Sequence, residues 1–148
     1  MEKLRVEELS GIRFERAIVK EICFIDALDS DHGDPANREL NVALDLTSRV
    51  SDDGTNCLTT ISLALESVSG NFVELKAKIE GHFKLDRPDP SVNLEEFSQK
   101  QAPAILMPFL RAEVAAATSR SRFGQILIPP INVIAMLERT GEVVNETQ

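Results

Sequence analysis

From Ile12 to Phe83, apolar residues recur at every second position in four separate stretches. That is the period of extended chain. In the first, Ile12, Phe14, Ile18, Ile22 and Phe24 share one parity, and Ala17, Val19, Cys23 and Ile25 share the other. A strand apolar on both faces is covered twice or gives one face to an oligomer. Arg16 and Lys20 interrupt its first face. The second stretch sets Leu40, Val42, Leu44 and Leu46 against Asn41, Ala43, Asp45 and Thr47. The third sets Cys57, Thr59, Ile61, Leu63 and Leu65 against Thr60, Ser62, Ala64 and Glu66. The fourth turns Val73, Leu75, Ala77, Ile79 and Phe83 inward and Glu74, Lys76, Lys78, Glu80 and His82 outward. Asp29–Pro35 (DSDHGDP), Ser51–Gly54 and Ser69–Asn71 separate the stretches as loop and turn signals. Short connections between four strands predict an antiparallel meander.

At Leu85 the period changes. Leu85 to Ser91 (LDRPDPS) is a proline-broken connection. Leu94 and Phe97, three apart, allow a short helix within Val92–Gln101. Pro103 and Pro108 are not expected inside one regular helix, so the main helix is predicted to begin near Pro108, where proline is accepted. It runs to Ser119 through Ala115, Ala116 and Ala117. Arg122–Ile128 is extended, Pro129-Pro130 is a rigid corner, and Ile131–Arg139 is a second helix ended by Gly141. The expected fold is α+β: a four-stranded antiparallel sheet with two C-terminal helices on one face. A single domain covers 1–148, with a lead-in at 1–11, the sheet at 12–84, a helical part at 92–140 and a short tail at 141–148.

Composition narrows the function. The net charge is −8, from 24 acids against 16 bases. That disfavours nucleic acid, which needs basic clusters. No apolar run reaches the roughly 18 residues that span a bilayer. MEKLRVEELS carries acids and no apolar core, so it is not read as a secretion signal, and a cytoplasmic location is expected. Cys23 and Cys57 form no CxxC pair, and His32 and His82 are not spaced near them as ligands. Both cysteines fall within apolar alternation and are expected to be buried free thiols. There is no phosphate loop, HExxH or GxSxG. His32 lies among aspartates and His82 on an outer strand face. Asp52-Asp53 and Glu95-Glu96 read as turn and helix-start residues. No catalytic residue, metal or cofactor is expected.

The remaining signal lies in the last third. Ile105-Leu106-Met107-Pro108-Phe109-Leu110-Arg111 resembles the Ile-Leu-aromatic-Pro-aromatic-x-Arg run of the SecB family of protein-export chaperones. Ser119-Arg120-Ser121-Arg122-Phe123-Gly124-Gln125 is similar to that family's Ser-Arg-Gly-x-Phe-Pro-x segment, with Gly124 where proline is usual. Pro130-Ile131-Asn132-Val133 resembles its entry to the last helix. Earlier, Lys20-Glu21-Ile22-Cys23-Phe24 looks like its Lys-Asp-Ile-Ser-Phe, and Val42-x-Leu44-Asp45-Leu46 like its second strand.

The resemblance implies a homotetramer, a dimer of dimers, that holds unfolded preproteins in apolar grooves and hands them to the SecA motor. Under it, Val42, Leu44, Leu46, Phe83, Leu127 and Ile134 are groove candidates. Leu44→Asp is then expected to weaken holding in a chain that still folds. Phe109, Arg111, Ala112 and Ala116 are candidates for an assembly helix. Glu21, Glu74 and Glu80 are candidates for motor docking, although Ile25 and Lys76 stand where two of the family's docking acids are expected. A chaperone dedicated to one client, such as an antitoxin, fits the same resemblance. A peptide- or small-molecule-binding module and a structural interaction subunit are the other readings.

Overall fold

Four long strands, β1 (Ile12–Asp26), β2 (Leu40–Val50), β3 (Asn56–Ser67) and β4 (Val73–Leu85), pair antiparallel in the order β1-β4-β3-β2. A short strand, β5 (Val143–Asn145), lies parallel to β2 on the far side. The computed structural model describes residues 11–26, 40–67, 73–121, 124–128 and 143–145. The lead-in, the DSDHGDP loop, the Ser69–Asn71 hairpin signal, the Pro129-Pro130 corner and the predicted second helix lie outside those residues.

The sheet is not a meander. β2, β3 and β4 follow one another, but β1 sits beside β4, which is Greek-key order. Tight turns fix which strands become neighbours. The 27–39 connection is too long to be such a turn, so nothing local obliges β1 and β2 to pair. Part of the short tail at 141–148 forms β5.

β1 also departs from simple alternation. Its register against β4 shifts between Phe14 and Arg16 and again between Val19 and Glu21, passing over Glu15 and Lys20. Each bulge inserts one residue and reverses the parity of the residues after it. Directly paired residues share a face. Ala17 opposite Gly81, Val19 opposite Ile79 and Ile22 opposite Ala77 therefore join Ile12, Phe14 and Phe24 on one side. Ile18, Cys23 and Ile25 go to the other. Cys23 is exposed, against expectation, while Cys57 is buried. Burial pushes the Cys57 thiol up to about 12, so it is a packed, unreactive group.

Among the described residues one helix, α1 (Leu94–Thr118), covers the inner face of the sheet. Asn93 caps it, its side chain accepting from the Glu96 amide at 3.0 Å. Glu95 and Glu96 suit the positive end of the helix dipole. The helix does not begin at Pro108; it contains both Pro103 and Pro108. Two interior prolines cost about 3 kcal/mol each. However, Leu94, Phe97, Leu106, Leu110 and Val114 form a buried stripe through both prolines. At about 1.5–3 kcal/mol per large apolar side chain, that stripe outweighs the local penalty.

The core lies between α1 and the inner residues of β2, β3 and β4, including Leu44, Leu46, Ile61, Leu63, Ile79 and Phe83. Gly81 marks the closest approach. A Cβ there would sit 2.6 Å from Leu106 Cδ2 and 2.9 Å from Phe83 Cε2. Thr59 and Ser98 are fully buried, and the Thr59 hydroxyl donates to the Ser98 carbonyl at 3.0 Å. This bond ties sheet to helix without leaving a buried polar group unmatched.

The β2–β3 turn carries a pH-sensitive element. The Asp53 carboxylate accepts from the Ser51 hydroxyl at 2.6 Å, the Thr55 hydroxyl at 2.7 Å and the Thr55 amide at 3.0 Å. These bonds favour the ionised form and lower its pKa from 3.8 to about 2. A depressed carboxylate contributes stability above its unfolded pKa and loses it as pH falls through the folded value. Asp53→Asn is expected to lower the melting temperature slightly at pH 7. The gap between variant and parent should close between about pH 4 and pH 2. Melts across that range check it; a gap that persists at pH 2 would mean the carboxylate charge is not what matters.

Candidate functional site

The six groove candidates separate by position. Leu44, Leu46 and Phe83 are sealed beneath α1, each 1–2% exposed. They belong to the hydrophobic core of this chain, packed against α1. Alternation alone could not distinguish the two roles, because a groove floor and a core both need apolar residues at every second position. Val42 and Leu127, by contrast, stand open at 43% and 70% exposure. Ile134 lies outside the described residues.

Segment 124–128 leads from the end of α1 back along it. The Thr118 hydroxyl accepts from the Ile126 amide at 2.8 Å, and Arg111 Nε donates to the Ile128 carbonyl at 2.7 Å. Ile128 is buried and Ile126 packs on the core, while Leu127 between them points out. Extended chain pinned at both ends gives this alternation. Arg111 thus has a role within the chain: it holds this segment against the helix.

Phe109, Ala112 and Ala116 are exposed on α1. Together with Ile105 they fall at i, i+4, i+7 and i+11, one stripe of the helix. Phe109 meets Phe14 of β1 edge-to-face, ring centroids 5.6 Å apart, and Phe14 stacks on Phe83 at 5.1 Å. The exposed stripe of α1 therefore flanks the inner face of β1. On that face Val19 and Ile22 are also exposed. The apolar residues at both parities of β1 and the candidates Phe109, Ala112 and Ala116 point to this flank in the sequence, but simple alternation does not show which β1 residues share it, because the bulges at Glu15 and Lys20 shift the parity.

The three docking candidates lie on the opposite, outer face. Glu21 is exposed and faces Lys78 across the strand pair. Glu74 pairs with Lys76 at 3.3 Å. Glu80 meets His82 Nε2 at 2.7 Å, with both side chains about one-fifth exposed. His82 is accordingly half-buried and partnered, not freely solvated. Glu21 and Glu74 thus each have a lysine neighbour, which offsets part of the negative charge they offer a cationic partner.

Among the described residues, no three His, Cys, Asp or Glu side chains gather as metal ligands, and no helix is long and apolar enough to cross a membrane.

Comparison with known proteins agrees with this architecture. Residues 11–142 match the family described as SecB, preprotein translocase subunit. An uncharacterized protein of Methanocaldococcus jannaschii, MJ0357, is 27% identical over 140 residues, which are 92% of this chain and 88% of that protein. Among solved structures, the Mycobacterium tuberculosis Rv1957 SecB-like chaperone, in complex with a ChAD peptide from the Rv1956 HigA1 antitoxin, superposes with a TM-score of 0.64. It is 11% identical, and the match covers 81% of this chain and 87% of that one. At that identity the likeness is one of fold.

Proposed function

The chain belongs to the SecB family, a family of non-catalytic chaperones, and we propose that it holds unfolded polypeptide by covering apolar segments. The supporting observation is the amount of apolar side chain left open among the described residues: Val19, Ile22, Ile25, Val42, Ile105, Phe109 and Leu127. Soluble monomers seldom leave apolar patches without a partner.

Magnitudes divide this surface into two uses. A micromolar complex needs about −8 kcal/mol net. Association costs about 4–15 kcal/mol, so roughly 12–23 kcal/mol must come from contact. At about 25 cal/mol per Å² that means roughly 500–900 Å² of apolar burial. Val42 and Leu127 alone cannot supply it, so a client must extend over several such sites. A homo-oligomer provides them. Ile105, Phe109, Ala112 and Ala116 with the β1 flank form the assembly surface, and a dimer of dimers multiplies the sites around Val42 and Leu127. Leu44, Leu46 and Phe83 serve as the rigid floor beneath. Ile134 remains a candidate for the same wall.

Two clients are in view: secretory precursors passed to the SecA motor in the cytoplasm, or one dedicated protein. The lysines beside the outer acids favour the second, since Glu21 faces Lys78 across the strands and Glu74 pairs with Lys76. The Rv1957 complex, with its antitoxin peptide, is a precedent in the same fold. Holding is tested by aggregation of a reduced, unfolded client: suppression near one oligomer per client is expected. No suppression at several-fold excess would refute holding. Bound proteins recovered from the native host then separate the two clients, many precursors supporting export and a single species the dedicated role.

A further inference from the structure

The outer face of the sheet gathers positive charge at one end, in a chain whose net charge is −8. Arg13 is paired with Lys84, and Arg16 with His82, across β1 and β4. Directly paired residues share a face, so all four stand on the side away from α1. Arg13 and Arg16 are three residues apart, and unbroken alternation would put them on opposite faces. The bulge at Glu15 brings Arg16 to the same face as Arg13, a re-aiming that bulges commonly perform. Folding is not helped by the result, because like charges directly opposite each other are destabilising. Arg13 is occupied by Asp86 at 2.9 Å and Glu15 at 3.4 Å, and His82 by Glu80 at 2.7 Å. Among the described residues, Arg16 and Lys84 have no ion-pair partner. A hollow of about 370 Å³ opens between them, lined by Glu15, Arg16, Asn56, Leu58, His82 and Lys84.

We propose that this hollow docks an acidic segment of a partner protein, one carboxylate meeting Arg16, another meeting Lys84, and an apolar side chain resting on half-buried Leu58. Charge complementarity selects the occupant: two unpaired cations on an otherwise acidic chain attract acids locally and nothing basic. Magnitude selects its size. An exposed ion pair strengthens binding at most about fivefold. A lone small anion held by both cations would bind only at roughly tens of millimolar. A segment with several acids adds main-chain and apolar contact across the open sheet, and that contact supplies the rest. The site is independent of holding, since the apolar inner layer and the α1 flank lie on the other side of the sheet.

The test uses the full chain and a double variant, Arg16→Glu with Lys84→Glu. This reversal also sets an acid opposite Arg13, so the sheet should keep its pairing. Arg16→Gln with Lys84→Gln carries the test if the reversal does not fold. The probe is a fluorescein-labelled peptide of glutamate, serine and one leucine, beside a version with glutamine at every glutamate. Anisotropy should show the parent preferring the glutamate peptide about tenfold. Either variant should abolish that preference, and raising salt from about 0.05 to 0.5 M should shrink it severalfold. Both variants should still suppress aggregation of an unfolded client as the parent does. No preference in the parent, or a preference that the variants keep, would overturn the site. Loss of client suppression in folded variants would overturn its independence from holding. Tighter binding of an oligothymidine of equal length would make the partner a nucleic acid and overturn the acidic segment.

Discussion

Leu44→Asp is expected to leave no stably folded chain. Leu44 is 1% exposed, paired with Leu63 and covered by α1. Losing a buried leucine costs about 2–5 kcal/mol. Burying a carboxyl without a partner adds several more, or requires that it stay protonated. A domain of this size is stable by about 5–15 kcal/mol, so the sum reaches most or all of it. Val42→Asp, two residues along the same strand, should behave differently. Val42 is largely open, so the variant should melt near the parent temperature and lose client binding. Circular dichroism melts of the two variants, set beside client titrations, check both. A parental melt for Leu44→Asp would place Leu44 outside the core and return it to the groove.

The second large effect is on assembly. Phe109→Asp puts a charge on the apolar flank shared by α1 and β1. Within the chain it forfeits one edge-to-face contact with Phe14, worth about 0.5–1.5 kcal/mol beyond area, so the fold should survive. Between copies the cost is larger. In a two-fold interface each substitution occurs twice, and an unpaired charge in an apolar contact costs several kcal/mol. The dissociation constant of that interface should rise at least a thousandfold. Sedimentation at micromolar concentration should show the parent as an oligomer and the variant as a smaller species with unchanged secondary structure. An unchanged mass for Phe109→Asp would exclude this flank as the interface.

How much of this is legible in the sequence depends on whether local pattern and tertiary position agree. In β3 and β4 they do. Cys57, Thr59, Ile61, Leu63 and Leu65 are all buried, as are Leu75, Ala77, Ile79 and Phe83, while Glu74, Lys76, Lys78, Glu80 and His82 face out. In β1 the pattern is cut twice by bulges that have no sequence mark beyond the charges of Glu15 and Lys20, so simple alternation puts several of its residues on the wrong face. α1 reads too short from sequence because proline is a strong local breaker, whereas the burial that overrides it involves residues far away in sequence. Strand order is hidden for a related reason: turn residues determine neighbours only across tight turns. At the site, the alternation of Val42, Leu44 and Leu46 is plain in the sequence. Which of them is open depends on where α1 ends its cover, and no spacing within β2 encodes that.

The most direct measurement is calorimetric titration of the chain with one client in two states, reduced and permanently unfolded, or native. A holder of apolar segments binds the unfolded form with a negative heat-capacity change, the mark of apolar burial, and ignores the native form. Equal binding of both forms, or no binding of the unfolded one, would contradict holding as the function of this fold.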